Sequence, residues 1–176
     1  MIEVDGAAVT DLFQACRSAW RWEAQPTYTI PTEQPTLAQF LAGEPKPENH
    51  NASWHRRIAA WTAEGKRIAR VRVLSHPLTD YQRYQLAWGI PGNMAAGEDV
   101  RVFDPESHPD VVAPQQDFWI FDGPADVCTV LRLNFDPDGR LLNRTLVAEA
   151  EQDRYRSWQQ VAINSSVPLR DWDARS

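Results

Sequence analysis

The sequence of 176 residues has only two cysteines, and no apolar run approaches the roughly 18 residues that a membrane-spanning helix needs. Its first residues, MIEVDGAAVTDLF, lack the basic segment and apolar run of a secretory signal. Cys16 lies on the apolar face of a predicted helix and Cys128 in a strand-like run, where reduced cysteines act as small hydrophobic residues. These absences predict a cytoplasmic protein with free thiols and no membrane contact.

Motifs of common enzymes and metal sites are also missing. A glycine-rich phosphate loop, a closely spaced cysteine pair and a G-x-S-x-G turn are all absent, which excludes the commonest nucleotide, redox and hydrolase motifs. His50 and His55 are five residues apart, so a helix would not present them on one face as zinc ligands. The segment DPDG at 136–139 lacks the closing glutamate of a calcium loop. The sequence therefore predicts no metal site and no cofactor.

The chain is acidic overall but contains one basic segment. A net charge of -6 argues against binding nucleic acid through bulk charge, so direct nucleic-acid binding is not expected. Between residues 55 and 85, however, seven lysines and arginines stand against two acidic residues. This local excess indicates either a solvated surface with its own counter-charges or contact with a partner of mixed polarity.

Several amphipathic helices are predicted. Val9, Leu12, Phe13 and Cys16 recur at helical spacing and indicate the first helix. The pairs Thr36 with Gln39 and Thr79 with Gln82 have the spacing of capping boxes, which mark helix starts. The predicted helices after the first cover residues 36–43, 53–64, 80–88 and 149–163.

The predicted strands form a mixed sheet. RIARVRVL at 67–74 and EDVRVFD at 98–104 flank a predicted helix, and such a unit makes a parallel strand pair. The turn PDG joins two further strands in a C-terminal antiparallel hairpin. Other strands are predicted at AWRWEA, TYTI and DFWIFDG. The expected fold is a single domain over residues 1–176, of the α/β class tending to α+β, with helices packed on the sheet.

Polar loops follow the two parallel strands. SHPLTD at 75–80 and DPESHP at 104–109 leave the carboxyl ends of these strands, where open α/β sheets bind ligands. Such loops could carry acid and base chemistry or hold a metal, but the same residue types also cap helices and form turns. The residues that we expect to lie near one another there are Ser75, His76, Asp80, Asp104, Ser107 and His108.

Charged residues alternate with apolar ones along several strands. The alternating polar residues are Arg21, Glu23, Arg70, Arg72, Arg101, Arg132 and Asn134. If they share one side of the sheet, that side is either exposed to solvent or covered with its charges paired, because an unpartnered buried guanidinium is costly. A covered charged side would suit an anionic-ligand groove or a polar interface. No residue is predicted to be catalytic, and the predicted ligand-binding residues are Arg70, Arg72, His76, Tyr81, Arg101, Asp104, His108 and Asp117.

The whole chain resembles an actinobacterial family of uncharacterised proteins, domain of unknown function 6879. The resemblance rests on SAWRWEAQPTY, FLAGEP, TAEGKRIARVRV, PLTDYQRYQL, AGEDVRV, DFWIFD, FDPDGR and SSVPL, in that order. The family has no established activity. The resemblance implies that members are often encoded near helix-turn-helix regulators.

The order of central strands is also similar to one half of a phospholipase D-like domain. In that superfamily the strand matching QQDFWIFDG carries a His, a Lys two positions later and an Asp five positions after the Lys. These three positions correspond here to Gln115, Asp117 and Asp122. Only Asp122 matches, and a carboxylate at position 117 would repel a phosphodiester. The resemblance therefore implies that this protein has the phospholipase D-like fold but does not carry out the phosphoryl transfer of that superfamily.

Together these patterns predict a non-enzymatic regulatory or ligand-sensing protein. Its expected partner is another protein, such as a helix-turn-helix transcriptional regulator, or a small anionic ligand. One alternative is an enzyme that acts on a phosphoester or specialised metabolite through the loops at 75–80 and 104–108. A second alternative is a homodimeric scaffold.

Overall fold

Eight strands form one mixed sheet in the computed structural model, which describes residues 2–172. The spatial order is β1-β7-β6-β5-β2-β3-β4-β8. The strands are β1 (Ile2–Glu3), β2 (Ser18–Glu23), β3 (Arg67–Val73), β4 (Asp99–Phe103), β5 (Asp117–Asp122), β6 (Cys128–Phe135), β7 (Leu141–Leu146) and β8 (Val167–Pro168). The pairs β2–β3 and β3–β4 are parallel and the other pairs are antiparallel, which confirms a mixed sheet.

Helices cover both sides of this sheet. They are α1 (Gly6–Ala15), α2 (Gln34–Leu41), α3 (Ala52–Ala63), α4 (Asp80–Tyr84), α5 (Ile90–Ala95) and α6 (Glu149–Asn164). A π-helical segment, Gln85–Gly89, joins α4 to α5, and short 3-10 turns lie at Pro124–Asp126 and Leu169–Asp171. No helix within residues 2–172 is long and apolar enough to cross a membrane. Cys16 and Cys128 are free thiols, as expected.

The two connections predicted most specifically are present. The β3–β4 pair is parallel with α4 and α5 between its strands, and β6 pairs antiparallel with β7 across the PDG turn. Gly139 closes that turn at φ 78°, a conformation that glycine adopts without strain. Thr79 and Gln82 form the predicted capping box, with each side chain accepting from the other residue's backbone N–H at 3.1 Å.

Two local predictions were wrong. TYTI at 27–30 is not a strand, because its backbone pairs with the hairpin turn, where the amide of Thr29 donates to the carbonyl of Gly139 at 2.9 Å. Thr36 does not cap α2, which begins at Gln34 with Pro35 in its first turn. The hydroxyl of Thr36 instead donates to the carbonyl of Glu33 at 3.0 Å.

The sheet has an apolar core on each side. On the side of α1 and α3, Phe13 and Trp61 pack against Trp119, Phe121 and other apolar sheet residues. On the side of α6, Trp22, Phe118 and Ile120 pack with Ala162 and Trp158. We call these sides the α1–α3 face and the α6 face.

Candidate functional site

Five buried charged residues and the partly buried Arg21 gather on the α1–α3 face toward the carboxyl ends of β2 and β3. We call this group the charged cluster, and its members are Arg21, Glu23, Arg70, Arg72, Glu98 and Asp117. Strand register places Arg21 beside Arg70 and Glu23 beside Arg72. Three guanidinium groups face three carboxylates, so the formal charges of the cluster cancel.

Arg70 is the best-paired member of the cluster. Its Nε and Nη2 donate to the two carboxylate oxygens of Glu98 at 2.7 and 3.2 Å, and its Nη1 donates to Glu23 at 2.9 Å. Arg72 donates to Oε1 of Gln85 at 2.9 Å and to the carbonyl of Glu23 at 3.1 Å. Both arginines are buried to at least 95 %, with exposed fractions of 5 % and 1 %. All three nitrogens of the Arg70 guanidinium donate to carboxylates, whereas Nη2 of Arg72 is buried without a hydrogen-bond partner among the described residues.

The electrostatics keep Glu23 and Arg70 ionised. Burial alone would raise the pKa of Glu23, but Arg21, Arg70 and Arg72 outweigh it and hold that pKa well below its usual range. Burial alone would lower the pKa of Arg70, and the carboxylates of Glu98 and Glu23 raise it instead. The cluster is thus a paired, covered network, so the interpretation of these strand charges as a solvent-facing side was wrong.

The alternating polar residues also do not all share one side. Arg101 lies opposite Val71 and Arg132 opposite Phe118, which places both on the α6 face. Arg101 donates from Nε to Oγ of Ser166 at 3.0 Å and from Nη2 to its carbonyl at 2.5 Å. This arginine therefore anchors the segment after α6, on the opposite face of the sheet from the charged cluster.

Asp117 is completely buried and organises the segment that follows β2. Its Oδ1 accepts the backbone N–H groups of Ala24 at 2.7 Å and Gln25 at 3.1 Å. Its Oδ2 accepts the hydroxyl of Tyr28 at 2.5 Å and Nη2 of Arg21 at 3.2 Å. Burial, together with the charges of Glu23 and Asp117, raises the pKa of Tyr28 well above its usual value, so the phenol stays a donor. Asp117, the first of the two acidic residues in QQDFWIFDG, is thus a structural acceptor.

A polar cavity of about 210 Å³ lies over the charged cluster. Arg21, Glu23 and Arg70 line it from the sheet, and Tyr81, Tyr84, Gln85 and Asn93 line it from α4, the π-helical segment and α5. Oδ1 of Asn93 is buried and has no hydrogen-bond partner within the described part of the chain. Such an orphaned acceptor is costly unless something donates to it.

Glu33 and Tyr81 form a coupled pair at the wall of the polar cavity. The hydroxyl of Tyr81 donates to the Glu33 carboxylate at 2.5 Å. Burial raises the pKa of Glu33, although the hydrogen bond from Tyr81 opposes that rise. Burial and the Glu33 carboxylate raise the pKa of Tyr81. The cavity therefore offers phenol, amide, carboxylate and guanidinium groups within one small volume.

A larger opening adjoins the polar cavity, and we call it the aromatic cleft. It has a volume of about 630 Å³ and shares Arg21, Tyr28, Ile30 and Trp54 with the polar cavity. Most of its lining is apolar and comes from α1, the segment 28–31 after β2, α3, the sheet and the β6–β7 hairpin. Its charged residues are Arg21, Arg140 and Arg144.

The two loops predicted to meet at the sheet edge do meet. Nε2 of His76 lies 3.0 Å from Oδ1 of Asp104, and the hydroxyl of Ser107 donates to Oδ2 of Asp104 at 2.6 Å. Burial alone would raise the pKa of Asp104, but hydrogen bonds from Ser107 and the amide of Glu106, together with His76, hold it below its usual value. Nδ1 of His108 instead approaches the Asp104 carbonyl at 3.2 Å, so only one histidine contacts the carboxylate.

The other residues of these loops have local partners. Asp80 pairs with Arg83 in the first turn of α4, and Oγ of Ser75 accepts from Nε2 of Gln82 at 3.2 Å. The ring of His108 stacks on Phe103. These contacts fit capping and turn roles for much of the loop pair.

The predicted ligand-binding residues therefore divide among four places. Arg70 and Tyr81 line the polar cavity, and Arg72 and Asp117 belong to the charged cluster beneath it. His76, Asp104 and His108 meet at the loop pair, and Arg101 lies on the α6 face. The sequence analysis missed four residues with functional potential. Tyr28 lies in a loop, Glu33 immediately before α2, Asn93 within α5 and Arg144 on β7. No local sequence pattern marks any of these four residues.

A family model described as Domain of unknown function (DUF6879) matches residues 7–174. The chain belongs to this family. The match contains every residue of the charged cluster, the polar cavity and the aromatic cleft. A search of curated proteins and a search of solved structures gave no significant match. The family description names no activity, so the functional proposals for this DUF6879 chain rest on its geometry.

The positions aligned with the phospholipase D-like motif lie apart in this DUF6879 chain. Gln115 is exposed before β5, and Asp117 is buried on the α1–α3 face. Asp122 is on the α6 face, where it accepts from Oγ of Ser18 at 2.8 Å and pairs with Arg156 of α6. Each carboxylate is engaged by protein donors.

Proposed function

We propose that this DUF6879 protein is a non-enzymatic ligand-sensing regulator that binds a small polar molecule in the polar cavity. The observation that carries the proposal is Oδ1 of Asn93, a buried acceptor without a partner among residues 2–172, in the lining of that cavity. A ligand that donates to this oxygen would relieve its desolvation cost, which is on the order of 1–3 kcal/mol for an unsatisfied buried group.

The lining favours a ligand that carries both donors and acceptors. Two guanidinium groups, Arg21 and Arg70, are accompanied by two carboxyl groups, Glu23 and Glu33. The arginines already bind carboxylates of the protein, so a simple anion gains little there and meets nearby negative charge. We therefore propose a neutral or zwitterionic metabolite for this cavity, in place of the small anionic ligand expected from the charged residues that alternate along the strands.

A ligand in this position would link separate parts of the fold. Glu33 immediately precedes α2, Asn51 precedes α3, and Tyr81 and Asn93 belong to α4 and α5. Ligand contacts across these elements would favour one arrangement of them over others, which is the physical basis of a ligand-driven signal. We place the readout in a cytoplasmic protein partner, such as a transcriptional regulator.

Asn93→Leu tests the polar cavity. We expect at least one free amino acid or nucleoside from a panel to raise the melting temperature of the wild-type protein, because a ligand of the native state stabilises it by mass action. The variant should lose that shift, while its ligand-free melting temperature stays equal or rises because an orphaned buried acceptor is gone. Differential scanning fluorimetry measures both.

Asn164→Leu, at the exposed end of α6, is the matched control and should keep the ligand-induced shift. The absence of a shift with every amino acid and nucleoside would contradict the proposal. If Asn93→Leu kept the full ligand-induced shift in melting temperature, Asn93 would not be part of the ligand site.

An enzyme acting on a phosphoester or specialised metabolite is the second candidate, favoured by the 3.0 Å approach of His76 to Asp104. A carboxylate beside an imidazole is a common arrangement for general acid–base catalysis. If this candidate is correct, the protein will turn over a member of a phosphoester panel, and His76→Ala will lower the rate by about 100-fold or more without unfolding the chain. Unchanged turnover in His76→Ala would refute it.

A further inference from the structure

We propose that the aromatic cleft is a second ligand site, adjacent to the polar cavity, and that it binds an amphipathic carboxylate with an apolar body. The cleft volume of about 630 Å³ lies within the range of about 300–1,000 Å³ that small-molecule sites usually have. Its wall contains Phe13, Trp54, Trp119, Leu133 and Phe135. These side chains would contact the apolar body of the ligand.

The charges of the cleft have one sign. Its lining includes three arginines and no aspartate or glutamate among the described residues. This composition differs from that of the polar cavity, where Glu23 and Glu33 accompany the arginines. Arg21 and Arg140 pair with carboxylates outside the lining, so Arg144 supplies its one positive charge without a partner among the described residues. An apolar lining with such a charge complements a molecule that joins an apolar body to one anionic group.

Arg144 is the best-placed group to bind the carboxylate. It lies on β7 opposite Leu133, whose side chain belongs to the core of the α1–α3 face. Its side chain is half-buried, yet it has neither an ion pair nor a hydrogen bond with any residue between 2 and 172. A guanidinium presents several donors in a planar fork that matches both oxygens of a carboxylate.

Arg21 provides a second, weaker contact from the floor of the cleft. Its Nη2 is held by Asp117, but its buried Nε has no partner among the described residues. The guanidinium carbon lies 5.7 Å from the ring centre of Trp119 and 5.5 Å from that of Tyr28. Arg140, in contrast, already pairs with Asp138 at 3.1 Å. The three arginines therefore differ in how free they are to bind a ligand.

Decanoate, decanol and decyltrimethylammonium test the assignment, because they share an alkyl chain and differ in the head group. Isothermal titration calorimetry below the micellar concentration should give one decanoate per chain. Decanol and the cation should bind at least tenfold more weakly, since neither offers a carboxylate to Arg144. Arg144→Gln should weaken decanoate binding at least tenfold, and the matched variant Arg140→Gln less than twofold.

Three results would overturn the proposal: no decanoate binding, equal binding of decanol, or equal decanoate binding by Arg144→Gln and the wild-type protein. Arg144 has no side-chain partner to lose within the described residues, so its replacement should leave the melting temperature nearly unchanged. Asn93→Leu should bind decanoate normally. Failure of the polar-cavity proposal and failure of this one are thereby distinguishable.

Discussion

Replacement of Glu23 by glutamine is expected to lower the free energy of unfolding by about 3–5 kcal/mol, the usual cost of removing one partner from a buried ion pair. Glu23 is 1 % exposed and pairs with Arg70 at 2.9 Å and with Arg21 at 3.6 Å. Without its charge, the cluster would carry an uncompensated positive charge in a desolvated position. Equilibrium unfolding in urea, followed by tryptophan fluorescence, measures the loss.

Glu64→Gln is the control for this prediction. Glu64 is exposed and pairs with Lys66 at 3.5 Å, so its replacement should cost about 0–1 kcal/mol. Equal losses for Glu23→Gln and Glu64→Gln would show that the buried network contributes no more than a surface pair. A native-like stability for Glu23→Gln would therefore contradict the account of the charged cluster.

The same carboxylate should dominate the acid sensitivity of the protein. The pKa of Glu23 in the folded state lies below its unfolded value of about 4.3, so its contribution is complete above that pH. As the pH falls below about 4.3, the unfolded state takes up protons that folded Glu23 does not, and stability is lost. In Glu23→Gln, the free energy of unfolding should fall less steeply with decreasing pH in this range.

Replacement of Asp117 by alanine is expected to cost about 3–5 kcal/mol and to loosen the segment after β2. The change removes the carboxylate that accepts four hydrogen bonds. The hydroxyl of Tyr28 and Nη2 of Arg21 would then lose their acceptor. Hydrogen exchange at the amides of Ala24 and Gln25 should accelerate, because their acceptor is gone. Urea unfolding gives the accompanying loss of stability.

Two further variants complete this test. Asp117→Asn keeps one carbonyl acceptor and should be intermediate in both measurements. Asp110→Ala removes an exposed carboxylate and should leave both unchanged. If the amides of Ala24 and Gln25 stayed protected in Asp117→Ala, another interaction would hold the segment that carries Tyr28 and Ile30 between the polar cavity and the aromatic cleft.

Local sequence patterns were reliable wherever one segment contains the whole signal. The capping box of Thr79 and Gln82, the PDG turn and the strand-helix-strand unit are all present. They were predictable because capping, turn geometry and crossover connections depend on residues close in sequence. The family resemblance also came from the sequence, and the match over residues 7–174 confirms the family.

Local patterns were insufficient where distant segments compete for the same backbone. TYTI has the composition of a strand, but hydrogen bonds to Asp117 and Gly139 hold it as an irregular segment. The spacing of Thr36 and Gln39 indicated a capping box, but α2 begins earlier with Pro35 in its first turn. In both cases, contacts made elsewhere in the fold outweighed local preference.

The sequence by itself determined the family, the mixed α/β sheet, and the alternation of charged and apolar residues along each strand. Only the tertiary structure decided which strand faces coincide, because a period of two fixes sides within a strand and leaves the register between strands open. That register joins Arg21 and Glu23 to Arg70 and Arg72, and places Arg101 on the other face. It likewise brings Arg144 beside the aromatic cleft, while the packing of α5 brings Asn93 over the charged cluster.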